Sequence, residues 1–268
     1  MLWFKSRFMT ELNDRMCGKM CITCRYDKNI EIFLRDLVSY TIKKYHDEID
    51  ISNLKSIELI DSAEIDLKTD GRTCEEGTKI ILTSRLFDKL PEYNIKTLED
   101  NKVFMTIVNT LFHEMGHVTD WAKYPNIYNC ASNLEEDKRN GIPSLFWLEY
   151  LAEKRSCSQI DHTDYCNSFV TTNWRLTKAC LYDYFDSTNF VYLNKHLPYF
   201  IARKENNNNS KMYLEKIKNQ ILVNYIIELE EELKVLENQL PFDDVDRLSY
   251  LYEIMNKYFK KFNIKWVY

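Results

Sequence analysis

The stretch TLFHEMGHVTDW, residues 110–121, sets His113 and His117 four apart with Glu114 directly after the first. On a helix, residues i and i+4 share one face about a turn apart, so both imidazoles can reach a single ion. Zinc accepts neutral imidazole nitrogens at about 2.0–2.1 Å, and in catalytic sites it keeps three protein ligands and a position for water. Glu114 projects about 100° round the helix from His113. From there a carboxylate can lean over the metal without ligating it and take a proton from water. A lone HExxH also arises by chance on a charged helix, so the discriminating demand is a third ligand.

Three templates supply one. A histidine six residues after His117, with glycine halfway, would make a metzincin, but those positions hold Lys123 and Asp120. Asp120 itself would require three side chains of one straight helix on one tetrahedral ion, an awkward geometry. It reads better as a surface carboxylate or as a partner to a ligand. The third template is a glutamate from a following helix, and WLEYLAEKRS (147–156) offers Glu149, with Ala152 three residues on and Glu153 four on. A small residue lets this helix approach the HExxH helix closely, and a carboxylate one turn along can accept the outer N–H of a ligating histidine. The plainer alternative is an exposed, mildly repulsive acid pair. Against it, Trp147, Leu148, Tyr150 and Leu151 make the helix apolar nearly all round. Burying Glu149 without a cation would then cost several kcal/mol.

HExxH followed by ExxA[DE] on a second helix resembles the gluzincin metallopeptidases. Within them, FHEMGHVTD with FWLEYLAEKRS is most similar to the ImmA/IrrE-type metallopeptidases of bacteria and their phages, over residues 50–160. The resemblance implies that His113, His117 and Glu149 bind Zn2+, that Glu114 is the general base, and that Glu153 orients a histidine. It also implies a zincin-like core, a small mixed sheet packed on the HExxH helix, with TKIILTS (78–84) as a candidate strand for pairing with an extended substrate. A hydrolase needs a donor for the oxyanion of the tetrahedral intermediate. Tyr150, Arg155, His162 and Tyr165 are close in sequence and chemically able, and the sequence does not choose among them. His162 alone reads as a surface residue, as do His46 and His196.

The elements that must position these residues are mostly helical. Apolar residues at 30, 33, 34, 37, 38, 42 and 45 predict a helix over 29–49. SIELID (56–61) and TKIILTS (78–84) read as strands, joined by a connection with turn signals at Asp70-Gly71 and Gly77. A helix-length stretch over 84–90 stops at Pro91. Residues 97–122 form a long helix whose stripe of Phe104, Val108, Leu111, Met115 and Val118 faces the core, with Asn109, Thr110, His113, His117 and Asp120 opposite. Residues 123–142 have loop character, 144–160 read as a second helix, and 166–186 look helical. KENNNNS (204–210) reads as an exposed loop. Helices over 212–240, stopped by Pro241, and 243–262, capped by Asp243 or Asp244, complete the chain. The expected class is α+β, predominantly helical. A metallopeptidase domain spans 1–203, and a C-terminal helical hairpin over 211–268 packs on its core.

Composition agrees. The 268 residues carry a net charge of −5, which argues against nucleic-acid partners and against a polybasic membrane anchor. No apolar run approaches a membrane span, and charge at Lys5, Glu11, Asp14 and Arg15 interrupts any signal-peptide core. The expected location is cytoplasmic. Of eight cysteines, Cys17, Cys21 and Cys24 cluster, but without a second CxxC to complete a metal knot. The expected function is a zinc-dependent peptidase of phage or mobile-element origin, acting on a protein or peptide substrate. Its rivals are a zinc-binding regulatory or interaction protein that retains the site without proteolysis, and a toxin-like effector that cleaves one host protein.

Overall fold

The computed structural model describes residues 20–25, 27–63, 70–172, 187–207 and 210–262. Cys17, Cys180, the N-terminal stretch, and residues 173–186 of the expected 166–186 helix lie outside them. The protein is α+β and mostly helical, with one small mixed four-stranded sheet. Its contacts divide it into two compact units, 1–122 and 123–268. The division expected between 203 and 211 falls inside the second.

The first unit holds the sheet: β1 (Cys21–Cys24), β2 (Ser56–Ile60), β3 (Gly71–Cys74) and β4 (Lys79–Thr83), in the order β1-β2-β4-β3. β1, β2 and β4 run parallel, and β3 is antiparallel to β4. Helix α1 (Lys28–Tyr45) is started by Asp27, whose side chain accepts the Asn29 N–H. A single turn, α2 (Ile95–Leu98), precedes the long helix α3 (Lys102–Lys123). Strand residues alternate faces. The register aligns Ile22, Ile57 and Ile80 in one inward row and Cys24, Leu59 and Leu82 in the next. These rows meet the α1 face of Phe33, Leu34, Leu37 and Val38, and the α3 stripe of Phe104, Val108, Leu111, Met115 and Val118, in one buried core. On the other face Glu58 pairs with Arg25 and Lys79.

Two strands were invisible to the period-2 pattern. β1 is CITC, whose Cys21 and Cys24, three apart in a strand, face opposite sides. β3 is GRTC, in which Gly71 starts a strand rather than a turn. The turn lies one step later, at Glu75, Glu76 and Gly77, three successive residues with φ of 52°, 56° and 76°. β4, expected to pair with substrate, is flanked on both sides by β2 and β3. The strands at the two edges are β1 and β3.

The second unit is helical: α4 (Pro125–Ser132), α5 (Lys138–Ser156), α6 (Thr163–Thr172), α7 (Ser187–Glu205), α8 (Ser210–Glu215), α9 (Gln220–Glu237) and α10 (Ser249–Lys261). α4 occupies the expected loop. Its exposed amides are capped from far along the chain by Asp243, which accepts from Asn126 N–H at 3.0 Å and Ile127 N–H at 3.1 Å. α5 begins earlier than expected because Asp137 caps it at Asn140. The single helix expected over 212–240 breaks at 216–219, where Asn219 starts a new one by accepting the Leu222 N–H. Asp244 accepts the Asp246 N–H at the turn leading into α10. Among the described residues no helix is long and apolar enough to cross a membrane.

Candidate functional site

Helix α3 is buried from Ile107 to Asp120 except at Thr110, so its polar side is interior as well as its apolar stripe. His113 and His117 are 5% and 8% exposed, and Asp120, read as a surface carboxylate or a partner to a ligand, is fully buried. The Nε2 atoms of the two histidines lie 3.0 Å apart, with the rings at 83° to each other. At that separation one ring can donate its proton to the other. Two nitrogens bound to one tetrahedral ion at about 2.0–2.1 Å would lie about 3.3 Å apart. One cation can therefore take the proton's place with a small adjustment of two χ angles.

Glu114, 6% exposed, points toward the sheet edge. The Thr73 hydroxyl lies 2.8 Å from its Oε2 and 3.0 Å from its backbone carbonyl. Gly71 closes on the same side chain: a Cβ there would sit 3.0 Å from Glu114 Cγ and Oε1. At the turn, a Cβ on Gly77 would meet Trp121 Cβ at 2.9 Å. The hairpin thus lies directly on α3, and glycine at two points permits the approach.

In the second unit, α5 carries Glu149 and Glu153 one turn apart, and α7 carries Tyr199 and Arg203 one turn apart. Each acid meets a residue of this pair. The Tyr199 hydroxyl donates to Glu149 Oε2, and Arg203 Nε donates to Glu153 Oε1 at 2.6 Å. Burial alone would pull the Arg203 guanidinium below its usual value, but the Glu153 carboxylate outweighs it and holds the group firmly charged. The guanidinium also lies 4.0 Å from the Tyr165 ring centroid. Glu153, expected to orient a histidine, has one oxygen committed to this ion pair.

The groups considered for the oxyanion fare differently. Tyr150 is fully buried, its hydroxyl 3.1 Å from Glu205 Oε2 and 3.0 Å from Glu237 Oε1, with Lys154 Nζ donating to it at 2.9 Å. Burial, reinforced by those carboxylates, drives its phenol far up. This internal network, not a substrate, accounts for Tyr150. His162 is buried rather than on the surface, its Nε2 3.1 Å from the Cys157 carbonyl. Tyr165 is half-buried against Arg203, and Arg155 is half-buried on α5.

The described residues include groups of His, Cys and Glu side chains of the kind that can hold a metal ion. One lies wholly within the second unit: the donor atoms of Glu153, Cys157 and His162 fall within 4.8 Å of one another. Its chemistry is set against a cation. Arg203 already neutralises Glu153. Burial, and then Glu153, pushes the Cys157 thiol up to about 12, while Asn206 Nδ2 sits 2.6 Å from the sulfur. Burial, with Arg203 adding to it, holds His162 below its ordinary value and therefore neutral. A thiolate would have to form beside a carboxylate, and the ion would have to displace an arginine.

Sequence reasoning missed Thr73, Tyr199 and Arg203. Tyr199 and Arg203 had a signal, a spacing of four that matches Glu149 and Glu153 on a facing helix. Thr73 had none, because GRTC does not read as a strand. Set against protein-family models, curated proteins and solved structures, the chain matches none of them.

Proposed function

We propose that this chain is a zinc-dependent metallopeptidase of the gluzincin type, similar to the ImmA/IrrE group. In this reading, which rests on the HExxH and ExxAE motifs, His113, His117 and Glu149 are the ligand set and Glu114 is the general base. The observation that carries this reading is the convergence of two buried imidazole nitrogens on one point, next to a carboxylate held by a hydroxyl. A purely structural metal site has no use for such a carboxylate. The small mixed sheet supports a zincin-like core, with an antiparallel edge strand lying on the histidine-bearing helix. The open side of β3, rather than β4, is the place for an extended peptide to add as a further strand.

When bound, zinc supplies a Lewis acid that polarises the scissile carbonyl and brings the pKa of water to about 7. The protein's own groups do the rest. His113 and His117 present imidazole nitrogens fixed in place by burial. Glu149 brings a negative oxygen whose neighbour is held by Tyr199. Glu114 takes the proton from the attacking water and returns it to the departing amine.

The test is metal analysis of the purified protein, together with cleavage profiling of a proteome-derived peptide library by wild type and Glu114→Gln. Zinc in both proteins, with cleavage by the wild type alone, is expected. Zinc in both and cleavage in neither would favour a non-proteolytic zinc-binding role. A wild type that binds no zinc would overturn both.

A further inference from the structure

The two inward rows of the sheet end unusually. Ile22, Ile57 and Ile80 continue in register to Thr73, and Cys24, Leu59 and Leu82 continue to Gly71. The edge strand thus offers a hydroxyl and a missing side chain on the face where its neighbours offer isoleucine and leucine. Both positions meet the same residue, Glu114 on α3. Arg72 and Cys74 alternate to the opposite face.

We propose that β3 positions the base. Resting on the reading of Glu114 given above, Thr73 and Gly71 form a cradle that fixes its carboxylate for proton transfer. The Thr73 hydroxyl holds Oε2, and the space over Gly71 accommodates Cγ and Oε1, which leaves Oε1 to take the proton. A hydroxyl donor suits this task better than a cation. It fixes direction without forming an ion pair of the kind that Arg203 makes with Glu153. A core-filling residue would serve packing equally well at 73 and better at 71, since an added methyl normally increases buried apolar area. At Gly71 that methyl would instead displace the flexible end of Glu114.

Four variants test this as full chains: Thr73→Val, Thr73→Ser, Gly71→Ala and Glu114→Gln. They are assayed on the best-cleaved peptide from the wild-type profile, with zinc content, Tm and crystal structures measured alongside. Thr73→Val should lose about 10- to 100-fold in kcat with KM and zinc content unchanged, the usual effect of removing a partner that orients a site residue. Thr73→Ser should restore kcat. Gly71→Ala should lower kcat while keeping Tm, although the hydroxyl remains. In the Thr73→Val structure the Glu114 carboxylate should have left the strand, and in Thr73→Ser it should not. Wild-type kcat in Thr73→Val, equal loss in Thr73→Ser, or an unmoved carboxylate would each overturn the cradle. If Glu114→Gln cleaves normally, the base assignment falls instead, and the position of the carboxylate in the crystal structures still decides whether β3 holds it.

Discussion

Around His113 and His117, two imidazole nitrogens converge and the adjacent carboxylate is held by a threonine hydroxyl. Around Cys157 and His162, an acid, a thiol and an imidazole crowd as closely, but an arginine has taken the acid and burial keeps the thiol protonated. Both regions are interior and both are assembled from residues that ligate metals. In the second region the positive charge is that of Arg203; in the first, the proposal assigns it to a metal ion. The second cluster is a finished structure, with charge balanced and each of its three side chains in a recorded contact. The first has two imidazole nitrogens that converge, and the proposed function places a cation there.

Substitutions can break or sharpen this contrast. The largest effect should come from Glu114→Gln, with cleavage reduced at least the 10²- to 10⁴-fold typical of losing a general base, measured on the profiled peptide. Cys157→Ser should leave turnover at the wild-type level. If the two variants behave alike, the distinction fails. Next, His117→Ala and Glu149→Ala should each abolish stoichiometric zinc by elemental analysis, whereas His162→Gln should retain it. Full zinc occupancy in Glu149→Ala would send the search for the third ligand elsewhere.

Stability should show the reverse pattern. Arg203→Met leaves Glu153 buried without its partner and should cost about 3–5 kcal/mol in urea unfolding. Pairing it with Glu153→Leu should recover most of that, because an apolar pair replaces an ionic one. A smaller effect concerns pH. His162 is held below its ordinary value of 6.5 by burial and then by Arg203. Above that value the imidazole is neutral whether folded or unfolded, and its contribution to stability is complete. As pH falls below it, the unfolded chain binds a proton that the folded chain refuses, and stability declines until the folded value is passed. His162→Gln should flatten the unfolding free energy below about pH 6.5 only in part, because His196, lowered chiefly by burial, behaves likewise. The smallest effect is chemical. The Cys157 thiol, pushed up to about 12, should resist iodoacetamide at about pH 8 until the protein is denatured, whereas the exposed Cys21 labels in the native state.

Much of this was legible in the residues. The long helix bearing the histidines, its core stripe and the strands at 56–60 and 79–83 follow from period alone, because each has a sustained apolar pattern. The burial of the histidine face was not legible, since periodicity reports where apolar residues lie and not what covers the polar ones. β1 and β3 escaped because strands of four residues with cysteine, glycine and arginine carry almost no alternation. α4 escaped for a different reason: its start is capped by Asp243, more than a hundred residues away, and no local reading can supply such a cap.

The hairpin turn of Glu75, Glu76 and Gly77 has a consequence for how the molecule tolerates change. A shift of one residue in strand pairing sends every side chain to the opposite face. Inserting a single residue into that turn would therefore rotate Thr73 outward and bring Arg72 or Cys74 inward, a bulky cation or a thiol in place of the hydroxyl. The arithmetic of one short loop thus governs which chemical group greets the acid on the neighbouring helix.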